Sequence, residues 1–272
     1  MEIYEFIISV PNILDQNIYL FAFYMFIIGS ALASLSGLVI YRLPQQLELV
    51  EGADTSLTLS SPPSHCETCK SKIKLLHLIP IFGWLIQMGK CSNCDAKIPF
   101  IYPTTEFFFG GIFASLTLYL GASIELFSIC ILIISLWVIS WIDWNTTYIP
   151  DTITTPIMLI GLVISPFVNN NYESALGALL GWLLFSISFN IVSKLKSVDA
   201  YAGGDVAMGI LAGAWIGSDH IFEYLFLASI IFIFHALPYR NSGKIWVPMG
   251  PALSIALLIK IFLIYHNINI IS

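Results

Sequence analysis

Charged residues are scarce in this sequence. Only 10% of its 272 residues are Asp, Glu, Lys or Arg, whereas 57% are hydrophobic. Soluble domains carry roughly 25% charged residues. A chain so poor in charge cannot cover a globule with polar surface, so a lipid bilayer must solvate much of it. The composition therefore predicts an integral membrane protein.

Positive charge is absent from the first 17 residues, which contain Glu2, Glu5 and Asp15. A cleavable secretory signal has a basic segment before its apolar core, so we expect the first apolar run to be retained as a helix. No basic stripe interleaved with aromatic residues is present, which argues against nucleic-acid binding. Gly-x-Ser-x-Gly, P-loop and nucleotide-binding fingerprints are also absent, which removes the enzyme classes that they mark.

Long apolar runs are abundant, and a membrane helix needs roughly 20 apolar residues. The predicted spans are 18–41, 105–120, 124–142, 152–168, 174–193, 206–218, 221–237 and 247–267. Tilt or burial among neighbouring helices accommodates the short ones, of which 206–218 is the shortest. The predicted fold class is an all-α polytopic membrane protein with about eight transmembrane helices.

Ten of the eleven basic residues lie in three of the loops between these spans. They are Arg42, Lys70, Lys72, Lys74, Lys90 and Lys97 after the first span, Lys194 and Lys196 after the fifth, and Arg240 and Lys244 after the seventh. With eight spans all three loops share one side, which the positive-inside rule makes cytoplasmic. Lys260 stands apart inside the last span and is expected to snorkel towards the headgroups.

Two Cys-x-x-Cys pairs, Cys66 with Cys69 and Cys91 with Cys94, lie in the only long polar stretch. This spacing is typical of a tetrahedral thiolate site, usually for zinc. Cytoplasmic thiols stay reduced, so structural disulfides are not expected there. Redox-active dithiols are the alternative interpretation. Cys130 lies in an apolar run and is expected to pack as a small hydrophobe.

The polar stretch predicts a domain division. An N-terminal transmembrane helix covers 1–42, a small cytoplasmic four-cysteine domain of the zinc-knuckle type covers 43–104, and a transmembrane domain covers 105–272. The small domain buries little core, so a bound metal would supply much of its folding free energy. The acidic and then Ser/Thr/Pro-rich stretch 45–61 is expected to be a mobile linker.

Carboxylates within or beside membrane spans are costly and point to function. They are Glu106, Asp143, Asp151 and Asp205. Asp143 ends the third span and Asp205 opens the sixth, so the predicted orientation places both at the cytoplasmic face. For Asp151 and Asp205 a plain helix N-cap is the competing interpretation. Gly203 and Gly204 allow close backbone approach or a positive φ beside Asp205.

Two carboxylates at one depth can share a site and a proton if their helices pack together, since like charges a few ångströms apart do not both ionise cheaply. An aspartic protease uses such a pair: one carboxylate deprotonates water and the protonated one polarises the scissile carbonyl. Two other function classes remain open. One is a membrane thiol-disulfide oxidoreductase that uses the Cys-x-x-Cys pairs. The other is a transporter with proton-relay aspartates, which would need carboxylates nearer mid-bilayer.

Motifs along nearly the whole chain resemble the type IV prepilin peptidases, bacterial inner-membrane aspartic proteases of the GxGD type. The matching segments, in order, are 29–30, 41–44, 64–69, 79–85, 89–94, 102–106, 142–151, 203–206 and 247–251. Two departures lie beside Asp205. Ala202 replaces the first glycine of the family's Gly-x-Gly-Asp motif, so that loop is expected to differ slightly. Ala207 stands where a lysine is often found, which removes a charge partner of Asp205.

The resemblance implies that Asp143 and Asp205 are the catalytic pair. The supporting residues that it implies are Asp151, Glu106, Gly203 and Gly204. It implies cleavage of prepilin or pseudopilin leader peptides after a glycine, at the cytoplasmic face of the bacterial inner membrane, with the N-terminus in the periplasm. Many members of the family also N-methylate the new N-terminal residue, which implies S-adenosylmethionine as a cofactor of a second activity.

Overall fold

The computed structural model describes residues 17–196, 202–241 and 247–268, and their apolar segments form eight long helices. These are α1 (Ile18–Gln46), α2 (Ile101–Leu120), α3 (Ile124–Thr146), α4 (Asp151–Ile164), α5 (Asn171–Lys196), α6 (Gly203–Ile216), α7 (Ile221–Asn241) and α8 (Gly250–Tyr265). Between α1 and α2 lie a 3-10 turn, Leu75–Leu78, and a short helix, Phe82–Ile86. The described residues form two isolated β-bridges and no strand, which confirms the all-α class.

The eight helices differ in length, and α2 has 20 residues. Four of them, α1, α3, α5 and α7, are long and apolar enough to cross a membrane. The helices α4, α6 and α8 have 14, 14 and 16 residues. At 1.5 Å per residue they rise only about 21 to 24 Å, which is less than the roughly 30 Å of a hydrocarbon core. All eight predicted apolar segments are helical, whereas the number that fully cross the bilayer stays a prediction.

The described residues form two compact units, divided between Cys130 and Ile131. In the first unit α1 packs along α2. Gly29 permits this approach, because an added Cβ would lie 2.7 Å from the Phe109 carbonyl oxygen. Cys130 is 5% exposed and joins an apolar cluster with Met25 and Phe113, so its predicted packing role is confirmed. The predicted domain limits at 42 and 104 remain predictions.

In the second unit α5 and α6 pack through facing glycines. An added Cβ on Gly181 would lie 2.1 Å from the Gly209 carbonyl oxygen, and one on Gly213 would lie 2.0 Å from that of Gly177. Each helix therefore carries the small-xxx-small spacing that lets membrane helices approach closely. This packing holds α6, the helix that contains Asp205.

The helix α4 also packs against α6, at Trp215. The Trp215 indole lies against Gly161 and its Nε1–H donates to the Ile157 carbonyl oxygen at 2.9 Å. In return the Ser165 hydroxyl donates to the Trp215 carbonyl at 2.7 Å. Two neighbouring helices thus fix α6 along its length.

The expectation that Lys260 snorkels is wrong. Its side chain is fully buried in α8, and its Nζ lies 2.6 Å from Glu223 Oε2 in α7. Because a carboxylate neutralises the ammonium within the unit, the side chain has no need to reach the headgroups.

The mobility expected of the stretch 45–61 stays a prediction, but the stretch contacts the end of α1. Arg42, 5% exposed at the end of α1, donates to the carbonyl oxygens of Thr58 at 2.7 Å and Pro62 at 2.8 Å. Leu57 is buried as well. These charge-assisted hydrogen bonds tie the stretch back to α1.

Some predictions lie outside the described residues. They concern the side of the membrane taken by residues 1–16, the side chains of Lys196 and Arg240, and the loop that contains Lys244.

Candidate active site and metal centre

Asp143 lies in the last turn of α3 and is 4% exposed. Its Oδ2 accepts a hydrogen bond from the backbone N–H of Gly250, 2.7 Å away. Gly250 is the first residue of α8, and a Cβ added there would lie 2.9 Å from the same oxygen. A glycine therefore lets the N-terminus of α8 come this close, and a helix N-terminus favours negative charge on the carboxylate.

Asp205 is the third residue of α6, and its carboxylate lies near enough to that of Asp143 to interact electrostatically. The second unit thus brings together the two aspartates of the predicted pair. The N-cap interpretation is wrong for Asp205 and Asp151, because the caps of their helices are Ala202 and Pro150.

Gly204 brings the start of α6 against the segment before α4. A Cβ added to Gly204 would lie 2.7 Å from Cβ of Ile149, which is buried just before Pro150 and Asp151. Close approach is therefore what this glycine supplies. Ala202 has φ −110° and ψ 90°, a conformation open to any L-residue, so alanine stands there without strain.

Two features beside the aspartates escaped the sequence reasoning. The Gly250 contact uses a backbone N–H, which no side-chain pattern reveals. Tyr224 in α7 is fully buried, and its hydroxyl has no hydrogen-bond partner among the described residues. This tyrosine lies within electrostatic reach of Asp205.

The other predicted carboxylates have different surroundings. Glu106 belongs to the first unit, where its Oε2 accepts the Ile81 N–H at 2.6 Å. Ile81 has φ 64°, which is rare for a β-branched residue, so the bond holds a strained turn. Asp151 is exposed in the first turn of α4. A supporting role in catalysis stays a prediction for both residues, as it does for Gly203.

The four cysteines of the two pairs converge, and their Sγ atoms all lie within 4.8 Å of one another. Cys66 and Cys94 are 3.9 Å apart, as are Cys69 and Cys91. A tetrahedral zinc ion with Zn–S bonds of about 2.3 Å separates its sulfur ligands by about 3.8 Å. The cluster therefore fits a metal ion of this size and geometry.

The two Cys-x-x-Cys turns have the same backbone. In each turn, the backbone N–H four residues after the first cysteine donates a hydrogen bond to the carbonyl oxygen of that cysteine. Lys70 donates to Cys66 at 2.8 Å, and Asp95 donates to Cys91 at 3.0 Å. Lys70 and Asp95 both have φ 56°. Each turn thus presents its two thiols in the same way. His65 is not aimed at the cluster, since its Nδ1 lies 3.0 Å from the Pro63 carbonyl oxygen.

Local hydrogen bonds favour the thiolate at two of the four cysteines, Cys69 and Cys91, whereas the neighbouring Cys69 side chain raises the pKa of Cys94 to about 12. A hydrogen bond from the Ser71 hydroxyl lowers the pKa of Cys69 to about 6. The backbone N–H of Asn93 similarly lowers the pKa of Cys91. The thiolate is the form that binds metal. The short 3.9 Å contacts join the two motifs rather than the cysteines of one motif, and the described cysteines form no disulfide, so nothing here supports the oxidoreductase alternative.

Comparisons with known proteins cover both units. The model of the bacterial peptidase A24 N-terminal domain matches residues 27–120, which include the four cysteines. The model of the type IV leader peptidase family matches residues 130–237, which include both aspartates. No solved structure gives a significant match.

Several curated relatives are named prepilin leader peptidase/N-methyltransferase. One from Neisseria gonorrhoeae is 27% identical over 85% of this chain and 86% of its own length. One from Klebsiella pneumoniae is 29% identical over 83% of this chain and 98% of its own. One from Vibrio cholerae is 29% identical over 90% of this chain and 97% of its own length.

Proposed function

Since the chain belongs to the type IV leader peptidase family, we propose that it is a membrane aspartic endopeptidase that removes leader peptides from prepilins and pseudopilins. The observation that carries this proposal is that Asp143 and Asp205 lie within electrostatic reach of each other in the second unit, while the Asp143 carboxylate accepts the Gly250 N–H. Relatives that share most of the chain bear the name of this activity.

The surroundings of the two aspartates assign them different tasks. The Gly250 N–H and the N-terminus of α8 favour the ionised form of Asp143. Asp205 then holds the proton of the pair, because two adjacent carboxylates do not both ionise cheaply. Asp143 accepts a proton from the attacking water, while Asp205 donates a hydrogen bond to the scissile carbonyl and stabilises the oxyanion. As the tetrahedral intermediate collapses, Asp143 gives the proton that it took from the water to the leaving amine and returns to its ionised form.

We propose that cleavage follows a glycine and takes place at the cytoplasmic face of the bacterial inner membrane, with the N-terminus of the enzyme in the periplasm. The distribution of Lys and Arg among the loops supports this orientation. Asp143 near the end of α3 and Asp205 near the start of α6 are then expected at that face.

We propose zinc as the ion held by the four cysteines of the cluster. Four thiolates complete a tetrahedral shell and leave no open position for substrate, so the ion has a structural role. We also propose that the new N-terminal amine is methylated with S-adenosylmethionine, a proposal that rests on the relatives' names and assigns no residue.

The proposed reaction is tested with the purified full-length protein, a prepilin and S-adenosylmethionine, followed by mass measurement of the product. Loss of the leader mass is the expected result, and a further gain of one methyl group would report the second activity. The Asp205→Asn variant should leave the prepilin intact, whereas Asp219→Asn, a variant of an aspartate outside the site in the same unit, should cleave normally. An uncleaved prepilin with the unaltered enzyme would contradict the proposal.

A further inference from the structure

An apolar surface lies on the polar segment between α1 and α2. Its members are Leu75, Leu76, Phe82, Leu85 and Met88, which are between 54% and 83% exposed. They come from the turn Leu75–Leu78 and the helix Phe82–Ile86, and from the residues just after that helix. Single exposed apolar residues are ordinary, but five of them within residues 75–88 concentrate exposed apolar area in one short segment, and exposed apolar patches mark interaction sites.

Three contacts tie this segment to the beginning of α2. The Ile81 N–H donates to Glu106, in the second turn of that helix, at 2.6 Å. The Trp84 indole N–H donates to the Ile98 carbonyl oxygen at 3.1 Å. The Trp84 ring also packs edge-on against Phe100, with centroids 5.3 Å apart. Residues 75–88 therefore lie at the level where α2 passes from polar chain into apolar helix, a level at which Trp is typical.

Lysines lie on both sides of the apolar surface in the sequence. Lys74 and Lys90 flank it and both are exposed. Residues 66–100 contain five lysines and two carboxylates, although the whole chain has a net charge of −6. An apolar face bordered by lysines is the pattern of a segment that lies in the plane of an anionic membrane surface.

We propose that residues 75–88 form an interfacial anchor that inserts its apolar side chains among the lipid headgroups. The flanking lysines then contact the phosphates of anionic lipids. The anchor holds the four-cysteine cluster on the membrane surface beside the beginning of α2. This inference concerns lipid binding and does not depend on the peptidase activity.

Depth-dependent fluorescence quenching tests the anchor in the full-length protein. A genetically encoded, environment-sensitive fluorescent residue replaces Met88, and the protein is placed in nanodiscs that contain an anionic lipid. The control carries the same residue at Thr55, which is exposed in the same unit and lies outside the patch. Equal thermal unfolding midpoints of the two labelled proteins and the parent would show that the label leaves the fold intact.

Nitroxide lipids labelled near the headgroup should quench position 88 several times more strongly than position 55. Quenching at position 88 should weaken when the anionic lipid is replaced by a zwitterionic one, and in the Lys74→Gln, Lys90→Gln variant. Equal quenching at positions 88 and 55 would overturn the proposal. A second outcome would also overturn it: lipid nitroxides leave position 88 unquenched, but a nitroxide attached to a prepilin quenches it. The apolar surface would then bind the substrate rather than lipid.

Discussion

The four-cysteine segment between α1 and α2 and the helical unit around Asp205 are stabilised in opposite ways. The four-cysteine segment has many exposed side chains and short turns, and its thiols converge from two separate motifs. The helical unit relies on backbone-to-backbone packing at glycines and on a buried ion pair. A fold that depends on a bound metal is lost when the ion is removed, whereas the helical unit should respond to changes in its glycines and its ion pair. We therefore expect that either region can unfold while the other stays folded.

Metal removal should have the largest effect, confined to the four-cysteine segment. A strong chelator, or the Cys66→Ser variant, should unfold that segment because little apolar core holds it. Limited trypsin digestion should then cut at the lysines between 70 and 97 while the helices from α3 onward stay intact. The Cys130→Ser variant is the control, since Cys130 lies outside the cluster. An unchanged digestion pattern after complete metal removal would contradict the expectation that the four-cysteine segment needs the metal to fold.

Breaking the ion pair should destabilise the helical unit next most strongly. Lys260→Met leaves Glu223 buried without its cation, which costs about 3–5 kcal/mol for a buried pair. Adding Glu223→Gln removes the unpaired charge and should recover part of the loss. Thermal unfolding monitored by circular dichroism measures both variants. A single variant as stable as the parent would show that the pair does not hold α7 and α8.

Disturbing the glycine contacts between α5 and α6 should have the next largest effect on stability. The Gly213→Leu variant places a side chain against the Gly177 backbone, which cannot move aside as a side chain could. Overpacking of this kind costs about 1–3 kcal/mol, and cleavage should fall because α6 carries Asp205. The matched control is Gly111→Leu in α2, where an added Cβ meets nothing within 4 Å. Equal unfolding midpoints in the two variants would argue against the close packing of α5 and α6.

A smaller and more local effect is expected from Gly250→Ala. The added methyl would meet Asp143 Oδ2 at 2.9 Å, so the carboxylate or α8 must shift by a few tenths of an ångström. Misplaced catalytic groups cost up to about 100-fold in rate, and we expect about 10-fold with little change in stability. Initial cleavage rates, compared with those of Gly111→Ala, measure this effect. A rate equal to that of Gly111→Ala would show that the close contact between Gly250 and Asp143 does not affect cleavage.

Local patterns predicted much of this structure. Apolar run length located all eight helices, and the Cys-x-x-Cys spacing predicted the thiol cluster. The charge map predicts that Asp143 and Asp205 lie at one membrane face, which stays a prediction, and the structure brings their carboxylates within electrostatic reach. These features depend on short stretches of chain, so a single sequence contains them.

Features that depend on pairing between distant segments were missed. The sequence predicts that Lys260 snorkels because it does not reveal the partner, Glu223, which lies 37 positions away in another helix. The hydrogen bond from the Arg42 guanidinium to the Thr58 carbonyl oxygen, within the stretch 45–61, has no signal in the sequence pattern either. The spacing of the glycines in α5 and α6 is visible in the sequence and indicates close helix packing. It does not indicate which helix packs against which. A backbone donor such as Gly250 leaves no side-chain signal at all.

The central claim is that Asp143 and Asp205 act as one unit, and a double-variant cycle tests it most directly. Initial rates of prepilin cleavage are measured for Asp143→Asn, Asp205→Asn and the double variant in the same bilayer, with membrane insertion and unfolding midpoints matched to the parent. Each single variant should lose at least about 100-fold, and the double variant should be no slower than either single one. Near-normal cleavage by either single variant, or losses that multiply in the double variant, would contradict the account.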